Sequence, residues 1–457
     1  MHGNDSILER YSGPNDPRVK GWYRNRYLIL FCCFILEVLI GTIYGLSVFS
    51  NPIIEIHPDW RGTVSFAYSI GVALLGFLCP FAGQLIDKKG PRLVGMLSAA
   101  FFMIGHVLAG YFVIIDLKHA FWISYGVVAG VGLSLGYVTP VSPIVHWFPD
   151  LKGVASGIAL SGFGLGTLVQ GLVNGRLITA FGPDIAIMAL GVYGGLIIFI
   201  TSCFICMPPP GYFPSSASSK VQDSVSSERS LSLGNALKTF LFWRVWLTFL
   251  GAAFTGVSIM SLLSPIVEDV FDFSTKQAGF YLAIFSIVNT AALILYPAIT
   301  DVLSSIKLSR KWVYVWLLLT QLIVCLFMPS IMTRQLLVMF MVATSVLTTG
   351  LTGSTGSLPS MLSEMFGSKY LSSLFGMTMI AWAAGGLVGS QILAAVQAHG
   401  QDTGVEDHLV YIPFFKYIPV LLAICLVAGL SLRPYKFPKD SVLPTSADNN
   451  IQEAKTE

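Results

Sequence analysis

Charge is what this sequence has least of. Of 457 residues only 11% are Asp, Glu, Lys or Arg, while 54% are hydrophobic and the mean hydropathy is +0.72. Soluble domains carry roughly 25% charged residues, so this chain lacks the charge to coat a water-facing surface of its size. The formal charge of +3 is small and the basic residues are scattered through short loops, which gives no footprint for a nucleic-acid partner. Cysteine is sparse as well. All seven (Cys32, Cys33, Cys79, Cys203, Cys206, Cys325, Cys425) fall in or at the ends of apolar runs, and read as small packing residues, not a disulfide or zinc framework. No HExxH, Walker or nucleophile-elbow motif occurs, so nothing marks an enzyme and no cofactor is expected. His106 has no second His or Cys at ligand spacing, which argues for a packed histidine and against a metal. The glycines of Gly162–Gly166 lack the strand and lysine of a phosphate loop and read as helix packing.

Long apolar runs are what the chain has in abundance. A helix needs about 20 apolar residues to cross a hydrocarbon core of roughly 30 Å. Twelve runs qualify: 27–49, 62–86, 93–115, 121–147, 153–178, 185–206, 240–266, 277–300, 312–332, 335–359, 370–396 and 411–432. The break between the ninth and tenth rests on little more than Thr333 and Arg334. From Tyr137 to Gly166 an apolar helix end, a polar interruption at Pro149–Gly153 and a glycine-laden apolar helix form a membrane hairpin. Gly157, Ser161, Gly162, Gly164 and Gly166 would allow close backbone approach between helices in lipid. The expected fold is therefore all-α, with twelve transmembrane helices in two six-helix bundles. Its expected organisation is an N-terminal segment 1–26, bundles over 27–206 and 239–432, a Ser-rich flexible linker 207–238 and a tail 433–457. No cleavable signal is visible, and the first run would serve as the targeting signal.

Orientation follows from Lys and Arg. With both termini in the cytoplasm, 21 of the 27 basic residues lie on the inner side and 6 on the outer. The plasma membrane is the expected residence, an organelle membrane the alternative.

The halves echo each other. GQLIDKKGPR (Gly83 to Arg92) after the second span is answered by PAITDVLSSIKLSR (Pro297 to Arg310) after the eighth, with Asp87 and Asp301 214 positions apart. HWFPDLKGVASG after the fourth span is answered by EMFGSKYLSSLFG after the tenth, with Phe148 and Phe366 218 apart. Duplicated halves with a solute site between them at mid-depth are the usual construction of alternating-access transporters.

The Gly83, Asp87, Gly90, Arg92 pattern resembles the loop signature of the major facilitator superfamily. GTIYGLSVFSNPI (Gly41 to Ile53), Tyr137 with WFPDLKGVASGIALSGFGLG, and MFGSKYLSSLFGMTMIAWAAGGLVG resemble the oxalate/formate antiporter group of its monocarboxylate-porter branch. The resemblance implies that Asp87 with Lys88, Lys89 and Arg92, and by the echo Asp301 and Arg310, pair with helix ends to latch the cytoplasmic side shut. A topogenic charge cluster is the plainer reading. Oxalate-type members hold a carboxylate with an arginine in span 8 and a lysine in span 11. Here the matching positions fall near Leu293 and Trp382, and spans 8 and 11 hold no Lys or Arg at depth. A divalent anion in a low-dielectric cavity without a cationic partner is strongly disfavoured, so oxalate does not carry over.

Glu37 is the one Asp or Glu deep in any span. It lies ten residues into the first run, about 15 Å down at 1.5 Å per residue. Such a carboxylate normally faces a cavity and often relays protons; the alternative is a structural acid bonded to a neighbouring helix. Gly41 and Tyr44 follow at i+4 and i+7, on the same helix face. Tyr137, Thr139 and Ser142 offer hydroxyls beside Pro140 and Pro143, either to a solute or to their own kinked helix. Ser258 in span 7, Asn289 in span 8 and Thr352 in span 10 are further candidates, with interhelical bonding the competing role. Trp382 caps a cavity or simply packs. The expected function is a secondary transporter of a small organic solute, monocarboxylate-like in the leading reading, with protons as a coupling partner through Glu37 and the lipid bilayer as its surroundings. A carrier of a neutral or cationic solute and a non-transporting sensor are the alternatives.

Overall fold

In lipid a backbone N–H has no water to bond, so each apolar run must close its hydrogen bonds within itself as a helix. The computed structural model describes residues 25–60, 63–209, 212–214, 230–261, 263–271, 275–403, 406 and 409–434. Among these, α1 is helical over Arg26–Ile40, tightens to a 3₁₀ turn over Gly41–Leu46 and resumes as Ser47–Ile56. Then follow α2 (Thr63–Lys89), α3 (Pro91–Ile114), α4 (Lys118–Trp147), α5 (Lys152–Phe181) and α6 (Pro183–Phe204). The second half comprises α7 (Phe240–Ser261, then Leu263–Phe271), α8 (Thr275–Ser305), α9 (Lys311–Thr333), α10 (Leu337–Phe366), α11 (Leu371–Asp402) and α12 (Ile412–Leu430). Eleven described helices are long and apolar enough to cross a membrane; α5, at 30 residues, also exceeds the length a crossing needs. The twelve helices fall on the twelve apolar runs.

The turns explain several boundaries. Gly90, Gly182 and Gly367 sit at φ of 86°, 88° and 85°, a region open to glycine and strained for other residues. Pro91 and Pro183 follow two of them at the first position of a helix, where a missing N–H costs nothing. The turn between α9 and α10 is as tight as the sequence suggested: Arg334, then Gln335 at φ 50°, then Leu336.

Helices α1–α6 pack as one bundle, chiefly α3 on α6, α1 on α5 and α2 on α4; α7–α12 repeat the plan with α9 on α12, α7 on α11 and α8 on α10. The bundles meet along α2 with α11 and α5 with α8. Large apolar side chains such as Phe81, Ile104, Phe199, Trp316, Val338 and Val427 point outward, as a lipid-facing surface requires. The face carrying the start of α1 and the end of α12 is called the lower face below, and the opposite one the upper face.

The structure corrects the sequence reading in two places. The first run does not end near residue 49 but continues to Ile56 past the 3₁₀ turn. The segment 207–238 is not uniformly flexible, for its described ends are packed. Trp147 Nε1 donates to the Cys206 carbonyl at 2.7 Å, with Tyr212 edge-on to the same indole. Leu231 N–H bonds to the Phe366 carbonyl at 2.9 Å, and a one-turn helix Leu233–Leu237 buries Ala236. The reason is physical: Leu231, Leu233 and Leu237 supply enough apolar surface to dock, which a count of serines hides. Residues 210–211 and 215–229 lie outside the described residues.

Candidate functional site

Two carboxylates close the lower face across the bundle boundary. Asp87, in the last turn of α2, accepts at Oδ2 from the backbone N–H of Ser373 at 3.0 Å and from its hydroxyl. Ser373 lies in the first turn of α11, so the charge sits where the helix presents unpaired N–H groups and the positive end of its dipole. One turn back, a Cβ on Gly83 would collide with the Ser372 carbonyl, so only glycine lets α2 come this close. In the other half Asp301 of α8 accepts from Gly153 N–H at 2.9 Å and Val154 N–H at 2.8 Å, in the first turn of α5. The duplicated aspartates therefore cap opposite helices, each reaching from its own bundle into the other.

The halves differ in what supports each cap. Arg310 Nη2 lies 3.0 Å from Asp301 Oδ1, and its Nη1 3.7 Å from Glu364 Oε2. Ser309 Oγ donates to Glu364 Oε1 at 2.5 Å, and Lys152 Nζ crosses between bundles to Ser363 Oγ at 2.8 Å. Among the described residues no ion pair to Asp87 is seen, and Arg92 is exposed on the first turn of α3. Gly90 supplies the positive-φ turn between them. Sequence reasoning missed Ser373, the Gly153 and Val154 amides and the Arg26–Asp150 pair at 3.1 Å. The duplication held a clue, since Gly153–Val154 and Ser372–Ser373 lie at nearly equivalent positions after Phe148 and Phe366.

Above the caps the bundles stay in contact to mid-depth. A Cβ on Gly376 would strike the Cys79 carbonyl, and one on Gly76 the Ala383 side chain. On the other flank Gly157 faces the Leu293 carbonyl and Gly164 faces Thr290. Leu293 and Trp382 are both buried here, Leu293 wedged between Gly164 and Gly356, and Trp382 beside Gly76. Tyr137 stands on this boundary, its ring 5.1 Å from Phe163 of α5 and 6.0 Å from Phe375 of α11.

Glu37 is completely buried, and among the described residues neither of its oxygens has a hydrogen-bond partner. Its Cβ lies against Gly162 of α5, and the thiols of Cys33 and of Cys79 on α2 are within its electrostatic reach. The α-helix ends one turn above it: Gly41 N–H bonds to the Glu37 carbonyl, and the 3₁₀ turn starts there. The tighter winding takes Tyr44 off the register an unbroken helix would give it, and its side chain lies outside the described residues.

The remaining candidates divide. Asn289 and Thr352 are brought together, the threonine hydroxyl 3.4 Å from Asn289 Oδ1, while the buried Asn289 Nδ2 has no partner among the described residues. Thr139 instead donates to Leu135 O at 2.8 Å and Ser258 to Phe254 O at 2.7 Å, each within its own helix. Ser142 Oγ lies 3.4 Å from His146 Nδ1, near the lower end of α4. His106 is packed, with Nδ1 on the Phe102 carbonyl at 2.8 Å and its ring stacked on Phe102.

A model of the Major Facilitator Superfamily matches residues 27–390. The chain belongs to this superfamily. Among its relatives it is 24% identical to the oxalate:formate antiporter of Oxalobacter formigenes over 387 residues, 84% of this chain and 88% of that protein. It is 26% identical to monocarboxylate transporter 12-B of Danio rerio over 417 residues, 84% of this chain and 83% of that one. Among solved structures, the proton:xylose symporter XylE bound to 6-bromo-6-deoxy-D-glucose superposes with a TM-score of 0.64 at 14% identity. That match covers 87% of this chain and 94% of XylE, and at such identity it shows the fold. The facilitator is thus an integral, multi-pass membrane protein of a family whose members transport small solutes.

Proposed function

We propose that this facilitator is a secondary transporter that moves a small organic solute by alternating access, with Glu37 as its proton-coupling group. The observation that carries the coupling is Glu37 itself, fully buried with both carboxylate oxygens unpartnered. An isolated carboxylate in a dry bundle requires a compensating positive charge, and a proton is the smallest available. The two aspartate caps support alternating access, because they join the bundles only through contacts that parting of the lower face would break. Asn289, whose Oδ1 accepts from the Thr352 hydroxyl, keeps its Nδ2 without a partner among the described residues, and with Tyr137 and Trp382 it forms the proposed solute-contacting set.

The names of these two relatives, an oxalate:formate antiporter and a monocarboxylate transporter, favour a small monocarboxylate; its uptake in symport with a proton is proposed on Glu37 alone. The apolar pair Leu293 and Trp382 favours a second reading, a neutral or cationic solute. A sensor that binds without transport is the remaining alternative. The lower face is proposed to be cytoplasmic and the membrane to be the plasma membrane, on the distribution of Lys and Arg. The test is uptake into proteoliposomes of organic acids, amino acids and amines, each with and without an inward pH gradient. Accumulation of a carboxylate that collapses with the gradient supports the first reading; uptake of amines alone selects the second. Binding without flux for every solute leaves a sensor.

A further inference from the structure

Phe148 and Phe366, the echoed residues of the two halves, stand in the turns that lead into α5 and α11, the helices whose first turns receive Asp301 and Asp87. Each turn is held by the segment that opens its own bundle. In both halves the first turn of the bundle's first helix sets a ring against the phenylalanine. Tyr27 of α1 lies 5.9 Å from Phe148, and Phe242 of α7 lies 6.2 Å from Phe366. This is one contact duplicated, for Tyr27 and Phe242 are 215 positions apart and Phe148 and Phe366 are 218. Beyond the rings the halves differ. In the first, Arg26 Nη1 donates to the Asp150 oxygens at 3.1 and 3.2 Å, with the guanidinium 4.9 Å from the Phe148 ring. At the echoed positions the second half has Leu241 and Ser368, which cannot form such a pair. Its turn is held from the linker instead. Leu231 N–H donates to the Phe366 carbonyl at 2.9 Å, and Lys369 N–H donates to Ser230 Oγ at 3.2 Å. The Leu231 side chain packs against the core beside them.

Lys369 stands four residues ahead of Ser373, whose N–H and hydroxyl meet Asp87. The linker and the aspartate therefore grip the same helix end one turn apart. We propose that Ser230 and Leu231 are positioning residues for closure of the lower face: they hold the α10–α11 turn so that the start of α11 meets Asp87, as Arg26 and Asp150 do for α5 and Asp301. A helix end is prone to fray because its first N–H groups have no partner within the helix. Fixing it in advance lowers the ordering cost of the contact made across the boundary. The fit there leaves little slack, since Gly83 of α2 already lies against the Ser372 carbonyl. The linker can hold this turn firmly because it runs on through the one-turn helix Leu233–Leu237, with Ala236 buried, into α7 of the same bundle. Only the link from closure to transport rests on the alternating-access reading; closure itself can be followed with no solute present.

The test uses the full chain in lipid nanodiscs with spin labels at Lys89→Cys and Lys369→Cys, which leave the backbone N–H of residue 369 in place. Ser230→Ala combined with Leu231→Ala removes the hydroxyl acceptor and the side chain that docks the linker. Losing interactions of this size should move the ratio of separated to joined label distances about tenfold toward separation. In an Asp87→Ala background no carboxylate is left to meet the positioned helix end. There the same pair of substitutions should move the ratio by less than about twofold, because the two effects act through one contact. Ser230→Thr with Leu231→Met keeps the hydroxyl and the apolar side chain, and should restore the wild-type ratio. Should the alanine pair lower the folded yield, Ser230→Ala alone is read in the same way, with a shift of about threefold expected. An unchanged ratio in the alanine variants, or an equal shift with and without the Asp87 carboxylate, overturns the positioning role.

Discussion

At the scale of single residues, Glu37 and Asn289 are among the buried polar groups that lack a partner within the described residues. Replacing one partner of a buried hydrogen bond leaves the other unsatisfied at a cost of about 1–3 kcal/mol; Asn289 Nδ2 is already in that condition. Asn289→Leu is therefore expected to leave thermal stability unchanged or raised while solute uptake falls at least tenfold. A loss of both together would show that the amide is structural. Glu37 permits a sharper separation. Glu37→Gln keeps the size of the protonated acid but cannot release a proton, so accumulation driven by a pH gradient should vanish while solute exchange continues. Unaltered gradient-driven uptake in the glutamine variant would remove Glu37 from the mechanism. Glu37 was legible in the sequence because a lone acid ten residues into an apolar run has few explanations. Its missing partners were not, since they depend on what α2 and α5 bring against it.

At the scale of elements, all twelve helices could be read from length and hydropathy, because the bilayer imposes both. What lay hidden were departures that leave hydropathy untouched. The 3₁₀ turn Gly41–Leu46 and the π-helical stretch Trp122–Ala129 of α4 are as apolar as their flanks. The glycines of α5 were legible as contact residues but not as two sets. Gly162 and Gly166 press on α1 within the bundle, whereas Gly153, Gly157 and Gly164 meet α8 across the boundary. That division makes a prediction. Gly166→Ala pushes against the Val38 carbonyl and the Gly41 backbone, inside one bundle, and should reduce folded yield. Gly157→Ala pushes against the Leu293 carbonyl between bundles, which can part at their lower ends. It should leave the yield near normal and increase lower-face accessibility to a membrane-impermeant thiol reagent at an introduced Thr300→Cys. Equal folding defects in the two variants would mean that the boundary is as rigid as the bundles.

For the molecule as a whole, the question is what holds the lower face shut. Each aspartate accepts at least two hydrogen bonds from a helix end in the other bundle. Charge-assisted bonds of this kind contribute roughly 1.5–3 kcal/mol each, while about 1.4 kcal/mol shifts a two-state equilibrium tenfold. Either cap alone can thus decide which conformation dominates. Asp87→Asn retains an oxygen that can accept but loses the charge, and is expected to weaken the closed state without touching solute affinity if, as proposed, the cap biases a conformational equilibrium and contacts no solute. Asp301→Asn should act more strongly, since it also strips Arg310 of its nearer partner and leaves Glu364 at 3.7 Å. The distance between spin labels at Lys89 and Lys369, exposed on the two sides of the α2–α11 contact, reads the outcome directly. The wild type should give one short distance, Asp87→Asn a mixture, and the double variant a predominantly long one. Transport in the double variant should slow because the closed state must now be reached uphill, with the half-saturating solute concentration little changed. A double variant that keeps the single short distance would place the closing energy in the glycine contacts instead, and the two caps would be its consequence.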